Sequence, residues 1–172
     1  MENFTQEHLL VREKYGTTKQ AELILENMDT RTPNDRMIKF IENMNYFFLA
    51  TSSKDGRVNV NFKGTKSKRL IKFLDKKRLI FPDFHGNGIL HSIGDIESNS
   101  NVGLLFIDFS KDIRIKINGK AKVIEDKDVI ISYLDFFDSF NFSRLIEVEI
   151  DYVIPNCSTN LSVVRNSILN CK

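Results

Sequence analysis

Two stretches of this 172-residue chain gather side chains suited to holding an anion. In RVNVNFKG, residues 57–64, strict alternation sets Arg57, Asn59, Asn61 and Lys63 on one face of a strand and Val58, Val60 and Phe62 on the other. Two amides and two cations on one face could grip a polar, anionic ligand; a solvated outer face is the alternative for such a strand. In PDFHGNGILHSIGDI, residues 82–96, Asp83 ends a strand, Gly86 permits a sharp turn, Asn87 can cap a helix, and Ser92 lies in that helix's early turns. Free amides at such a helix start can bind phosphate, although the same spacing also describes an ordinary strand-to-helix connection.

Other chemistries find less support. Arg114, Lys116, Asn118, Lys120 and Lys122 form a second polar strand face opposite Ile113, Ile115 and Ile117; solvent exposure accounts for most of it, with one or two side chains able to reach a ligand. His8, His85 and His91 make no metal-ligand spacing with the carboxylates, and Cys157 has no neighbouring histidine that would mark a nucleophile. Neither a metal nor a catalytic residue is assigned. The two cysteines, Cys157 and Cys171, are too few for a disulfide framework, so a reducing, cytoplasmic setting is expected. The 25 Lys and Arg nearly balance the 23 Asp and Glu, which argues against non-specific attraction to nucleic acid or to an anionic membrane. The first residues carry no signal pattern and no run is long enough to span a bilayer.

The elements that must position these residues follow from periodicity. Helices are expected over about 5–14 and 19–28, and a third from Thr32 with Pro33 in its first turn and Asp35 three residues on. In the third helix Met37, Ile38, Phe40, Ile41 and Met44 recur at helical spacing, giving an apolar face for packing. At Tyr46 the period changes. YFFLATSS, the turn KDG and RVNVNFK read as a β-hairpin; RLIKFL and RLIFPDF read as a second strand pair. A helix from about 88 to 98, the strand NVGLLFIDF, the strand IRIKINGKAKVI, the helix DKDVIISYLDFFDSF and the strand RLIEVEIDYVI complete the chain. Tight turns require antiparallel neighbours, and closure of the sheet would remove its exposed edges. The expected fold class is α+β, a single antiparallel barrel domain over 1–172 with a helical N-terminal extension over about 1–45.

Taken in order, FFLATSSKDGRVNVNFKG, FPDFHGNGILHSIGDIESNSNVGLLFIDF and IRIKINGKAKV resemble the FMN-binding split-barrel family related to pyridoxamine 5′-phosphate oxidase. The resemblance covers about 15–165 and is nearest to a flavoprotein branch with a DGR hairpin, an SPKG strand, a PD..GN turn and an RvnGrA strand. It implies a split β-barrel homodimer with FMN (flavin mononucleotide) at the interface, a small-molecule substrate, and NAD(P)H as a candidate reductant. The positions it implies for the cofactor are Asn59, Asn61, Phe62, Lys63, Gly64, Asp83, Gly86, Asn87 and Ser92, with Arg114 toward the flavin ring. A flavin-dependent oxidoreductase is the expected function. A non-enzymatic flavin-storage protein, or a relative binding haem or a deazaflavin, is the alternative.

Several positions depart from the family pattern. Its Ser-Pro is Asn61-Phe62 here, its arginines after Gly-Asn are Gly88 and Ile89, and its Asn before Ile is Asp95. Each charge-assisted hydrogen bond lost beside the phosphate is worth about 1.5–3 kcal/mol, so FMN is expected to bind more weakly unless Lys63 and another base compensate. A protonated His91 is one candidate. The closing NCSTNLSVVRNS lacks the Arg-x-His pattern with which the true oxidases hold pyridoxamine phosphate, so that substrate is not expected.

Overall fold

A computed structural model describes residues 4–26, 31–66, 69–137, 142–156 and 161–169. The order of elements is α1 (Gln6–Lys14), α2 (Thr18–Glu26), α3 (Asp35–Glu42), β1 (Tyr46–Ser52), β2 (Val58–Gly64), β3 (Lys72–Phe73), β4 (Arg78–Phe84), α4 (His91–Ser98), β5 (Asn101–Asp108), β6 (Ile113–Ile124), α5 (Lys127–Tyr133), β7 (Phe142–Asn156) and α6 (Leu161–Leu169). The strands form one antiparallel sheet in the order β2-β1-β5-β6-β7-β4-β3. The fold is therefore α+β, with most of the chain in the expected elements.

The sheet curls onto itself. Phe47 of β1 and Phe81 of β4 lie far apart in strand order, yet their ring centroids are 5.0 Å apart, and the Phe106 ring of β5 lies 5.4 Å from Phe47, tilted by 32°. Only a barrel brings these strands together across its interior. Phe47, Leu49, Phe81, Leu104, Phe106 and Ile117 are fully shielded from solvent and build that core. Helix α3 adds Ile41, with Met37 and Phe40 packed against the core and Met44 just beyond the helix. A second cluster, Ile80, Ile130, Phe137, Phe142 and Leu145, lies between α5 and strands β4 and β7. The barrel is split because β2, at one end of the sheet, pairs only with β1.

Several boundaries differ from the sequence expectation. Helix α5 ends at Tyr133, short of the expected DKDVIISYLDFFDSF, with 134–137 in turns, and α6 falls where no helix is expected. Helix α3 begins at Asp35, not near Thr32: Asn34 is its cap, with its side-chain oxygen accepting the Met37 amide at 3.0 Å. Asn caps at least as well as Thr, and Pro33 is left in the connection, where it is buried. Helix α4 begins at His91, not at Gly88, because Gly88 (φ 80°) and Leu90 (φ 55°) adopt left-handed conformations that an α-helix does not accommodate. Of the expected strand RLIKFL only Lys72–Phe73 pairs with β4, although Leu70 and Ile71 are buried. The end of the expected second helix, 27–28, and Cys157 and Cys171 lie outside the described residues.

One glycine is required by close approach. At the β-bulge between Asn118 and Gly119, strand β7 comes so near that a Cβ on Gly119 would run into the Glu149 carbonyl oxygen. Gly119→Ala is predicted to destabilise the protein by roughly 2 kcal/mol or more in urea unfolding. Gly94→Ala, inside α4 with open space around it, is predicted to stabilise by roughly 0.5–1 kcal/mol. Equal effects from the two would contradict the placement of the bulge.

Candidate functional site

Strand β2 is oriented opposite to a solvated outer strand. Its apolar residues face out, with Val58, Val60 and Phe62 at 75, 61 and 64% exposure, while Asn59, Asn61 and Lys63 turn inward. The reason is the helix beneath it. Helix α4 packs against β1, β2 and β6 and presents polar side chains to β2 and β1. Asn61 Nδ2 donates to Ser92 Oγ at 2.6 Å, Asn59 Nδ2 donates to Thr51 Oγ1 at 3.3 Å, and Thr51 Oγ1 donates to Asp95 Oδ2 at 2.6 Å. Just past the helix, Asn99 Nδ2 donates to Ser52 Oγ at 2.8 Å. Buried Thr51 and Ser92 are thus satisfied within one polar seam.

The seam ends in an ionic cluster. Lys63 Nζ lies 3.1 Å from Asp83 Oδ1, joining β2 to β4 where no backbone bonds do so. Arg144 Nε, on β7, lies 3.4 Å from the other oxygen, Asp83 Oδ2. Asp83 is only 5% exposed, so its charge is held in a partly desolvated place by two cations.

Beside this cluster a cleft of about 320 Å³ opens between β2, the end of β4 and the start of α4. Asn61, Phe62, Lys63, Asp83, Gly86, Asn87 and Ser92, seven of the ten positions singled out in the sequence, line it, together with His91. Asn59 stands deeper in the seam, Gly64 lies under the Phe62 ring, and Arg114 is on β6, outside the cleft lining. Asn87 does not cap α4. Its side chain instead accepts the Ile89 amide at 3.1 Å, closing a turn, and Leu90 precedes the helix without a side-chain cap. The amides of the first turn of α4 therefore begin at the wall of the cleft.

Phe62 links the cleft to the outer sheet face. Its ring stacks on Tyr46 at 5.8 Å and meets Phe48 edge-on at 5.8 Å. The Tyr46 hydroxyl donates to the Ile107 carbonyl, and burial, reinforced by the Asp108 charge, raises its pKa above the ordinary tyrosine value. It remains a protonated donor near neutral pH.

Sequence reasoning missed Arg144 as part of the site. It lies 61 residues from Asp83, and only the β4–β7 register brings the two opposite each other. Among the described residues no three His, Cys, Asp or Glu side chains converge as a metal site, and no helix is long and apolar enough to cross a membrane.

The sequence profile of a family described as pyridoxamine 5′-phosphate oxidase matches residues 34–137. No curated protein sequence matches the chain. Among solved structures, a candidate pyridoxamine 5′-phosphate oxidase from Lactobacillus delbrueckii is 21% identical, with a TM-score of 0.58 over 74% of this chain and 97% of its own. An FMN-binding protein from Syntrophomonas wolfei is 13% identical, with a TM-score of 0.50 over 84% of this chain and 93% of its own. HutZ, the haem storage protein from Vibrio cholerae, is 15% identical, with a TM-score of 0.50 over 73% of this chain and 94% of its own. At these identities the structural likeness concerns the fold.

The seam predicts coupling between β2 and α4. Ser92→Ala and Asn61→Ala are each predicted to cost about 1–3 kcal/mol in denaturant unfolding, and the double variant less than their sum by about 0.5–1.5 kcal/mol. Strict additivity would mean that the two side chains do not interact.

Proposed function

Since the chain belongs to the pyridoxamine 5′-phosphate oxidase family, we propose that it is an FMN-binding flavoprotein that works as a homodimer and serves as an oxidoreductase on a small molecule. The observation that carries this reading is the junction at Phe62 of an anion-suited cleft with an uncovered apolar sheet face.

FMN combines a dianionic phosphate, a polar chain and a flat, largely apolar ring. The cleft suits the first two. Lys63 supplies a cation, the 86–92 segment supplies backbone amides, and Asn61, Asn87 and Ser92 supply side-chain polar groups. Its 320 Å³ is at the small end of the range for ligand sites, about 300–1,000 Å³, so it suits part of the cofactor better than all of it.

The ring requires a second, apolar surface. Strand pairing places Val58, Val60 and Phe62 of β2 on the same outer side as Phe48 and Ala50 of β1, with Gly103 and Leu105 of β5 continuing the row. Such a stripe is costly to leave in water, and a second copy of the chain packing on it would cover both the stripe and a ring lying against it. An isologous contact of this kind gives two equivalent cofactors per dimer.

When bound, FMN supplies the electron transfer, while the protein supplies binding, orientation and electrostatics. Lys63 and the amides hold the phosphate end. The Phe62 edge of the sheet orients the ring and excludes water from one of its faces.

The absorption spectrum of the purified protein tests the cofactor. Flavin bands are expected, and FMN at 100 times its Kd should stabilise the fold by about 2.7 kcal/mol. A colourless protein with no thermal shift on adding FMN would sink the reading; a haem or deazaflavin spectrum would replace the cofactor. For the assembly, Phe62→Asp is predicted to convert a dimer to a monomer in sedimentation and to release the flavin. A wild-type monomer with FMN bound would contradict the shared site.

A further inference from the structure

The cleft carries a charge problem that its lining residues do not solve. Lys63 and Asp83 both line it, and their opposite charges cancel locally. A dianionic group entering beside them would meet a buried carboxylate, with only one ammonium to offset both. Backbone amides cannot neutralise that carboxylate, and the family's arginines are replaced here by Gly88 and Ile89.

Arg144 changes the balance. It contacts Asp83 through Oδ2, the oxygen that Lys63 does not use, and it is not part of the cleft wall. The three side chains are largely buried, with 17% of Lys63, 6% of the Asp83 side chain and 20% of Arg144 exposed, and together carry one net positive charge. Among the described residues, the other anion paired with Arg144 is Glu125, at 4.0 Å and 72% exposed. Water and salt screen a charge so exposed, so it does not cancel the excess.

We infer that Arg144 is a positioning residue that sets the cleft's preference for phosphorylated over unphosphorylated ligands, by neutralising Asp83 and so leaving the charge of Lys63 to the ligand. The ammonium has three donors and uses one on Asp83, which leaves it able to donate to a phosphate oxygen. Arg144 thus compensates, from a different strand and without touching the ligand, for the missing cations after Gly86-Asn87. The inference rests on the FMN reading for the identity of the ligand, though not for its charge.

Fluorescence titration of the full chain with FMN and with riboflavin, which lacks the phosphate, tests it. Wild type is expected to prefer FMN. Arg144→Gln should weaken FMN by about 10- to 100-fold while leaving riboflavin nearly unchanged. Arg144→Lys should restore much of the loss. In an Asp83→Asn background, where there is no carboxylate to neutralise, Arg144→Gln should cost little FMN affinity; the selective loss of FMN over riboflavin in Arg144→Gln alone is the readout that a merely structural arginine would not produce. Wild type that binds FMN, with Arg144→Gln binding it equally well or losing both flavins equally, would overturn the inference and leave the FMN reading standing. If wild type binds neither flavin, thermal shift with millimolar inorganic phosphate separates the two ideas. An Arg144-dependent shift supports the charge arrangement and rejects the flavin, and no shift rejects both.

Discussion

The Lys63–Asp83 ion pair spans a gap that the backbone leaves open. Strand β2 has a hydrogen-bonded neighbour on one side only, and β4 belongs to the other end of the same sheet. A barrel closed by main-chain bonds needs no such device; this one is closed by side chains, through the ion pair and the polar seam with α4. Burying a charged pair is expensive, and a carboxylate left alone there would be worse. Two cations on Asp83 meet that constraint. The same arrangement leaves a surplus positive charge at the edge of a cleft, so the groups that close the fold are the ones on which the proposed recognition of an anion would draw.

Closure also decides which way β2 faces. With Asn59, Asn61 and Lys63 committed to the seam, Val58, Val60 and Phe62 are turned outward, because successive residues of a strand point to opposite sides. The exposed apolar stripe is therefore a consequence of the polar interior seam. In the proposed dimer this stripe becomes an interface, and the cofactor lies where interface and cleft adjoin, at Phe62.

Much of this was legible in the sequence. The alternation in RVNVNFKG and IRIKINGKAKVI marked two strands, the shift of period at Tyr46 marked the end of the helical extension, and PDFHGNG marked the turn that lines the cleft. Alternation divides a strand into two faces without saying which is inside, and so the inward turn of Asn61 and Lys63 depended on Ser92 of α4 and Asp83 of β4, partners distant in sequence. The start of α4 was misplaced because left-handed Leu90 is unusual for a bulky residue and carries no sequence signal. Arg144 was invisible for a similar reason: as the leading residue of RLIEVEI it looked like a strand boundary, and its role follows from cross-strand register with Asp83. Local periodicity reports elements; contacts across sixty residues of chain belong to the assembled sheet.

In the proposed complex one cleft, shared with a second copy, holds the phosphate of FMN beside Lys63. A crystal structure of the protein grown with FMN addresses it most directly. Two flavins per two-fold dimer are expected, each phosphate within hydrogen-bond reach of Lys63 and the 86–92 amides, and each ring against the Phe62 edge of the sheet. A flavin bound elsewhere, or a phosphate away from Lys63 with the β2 face open to solvent, would contradict it.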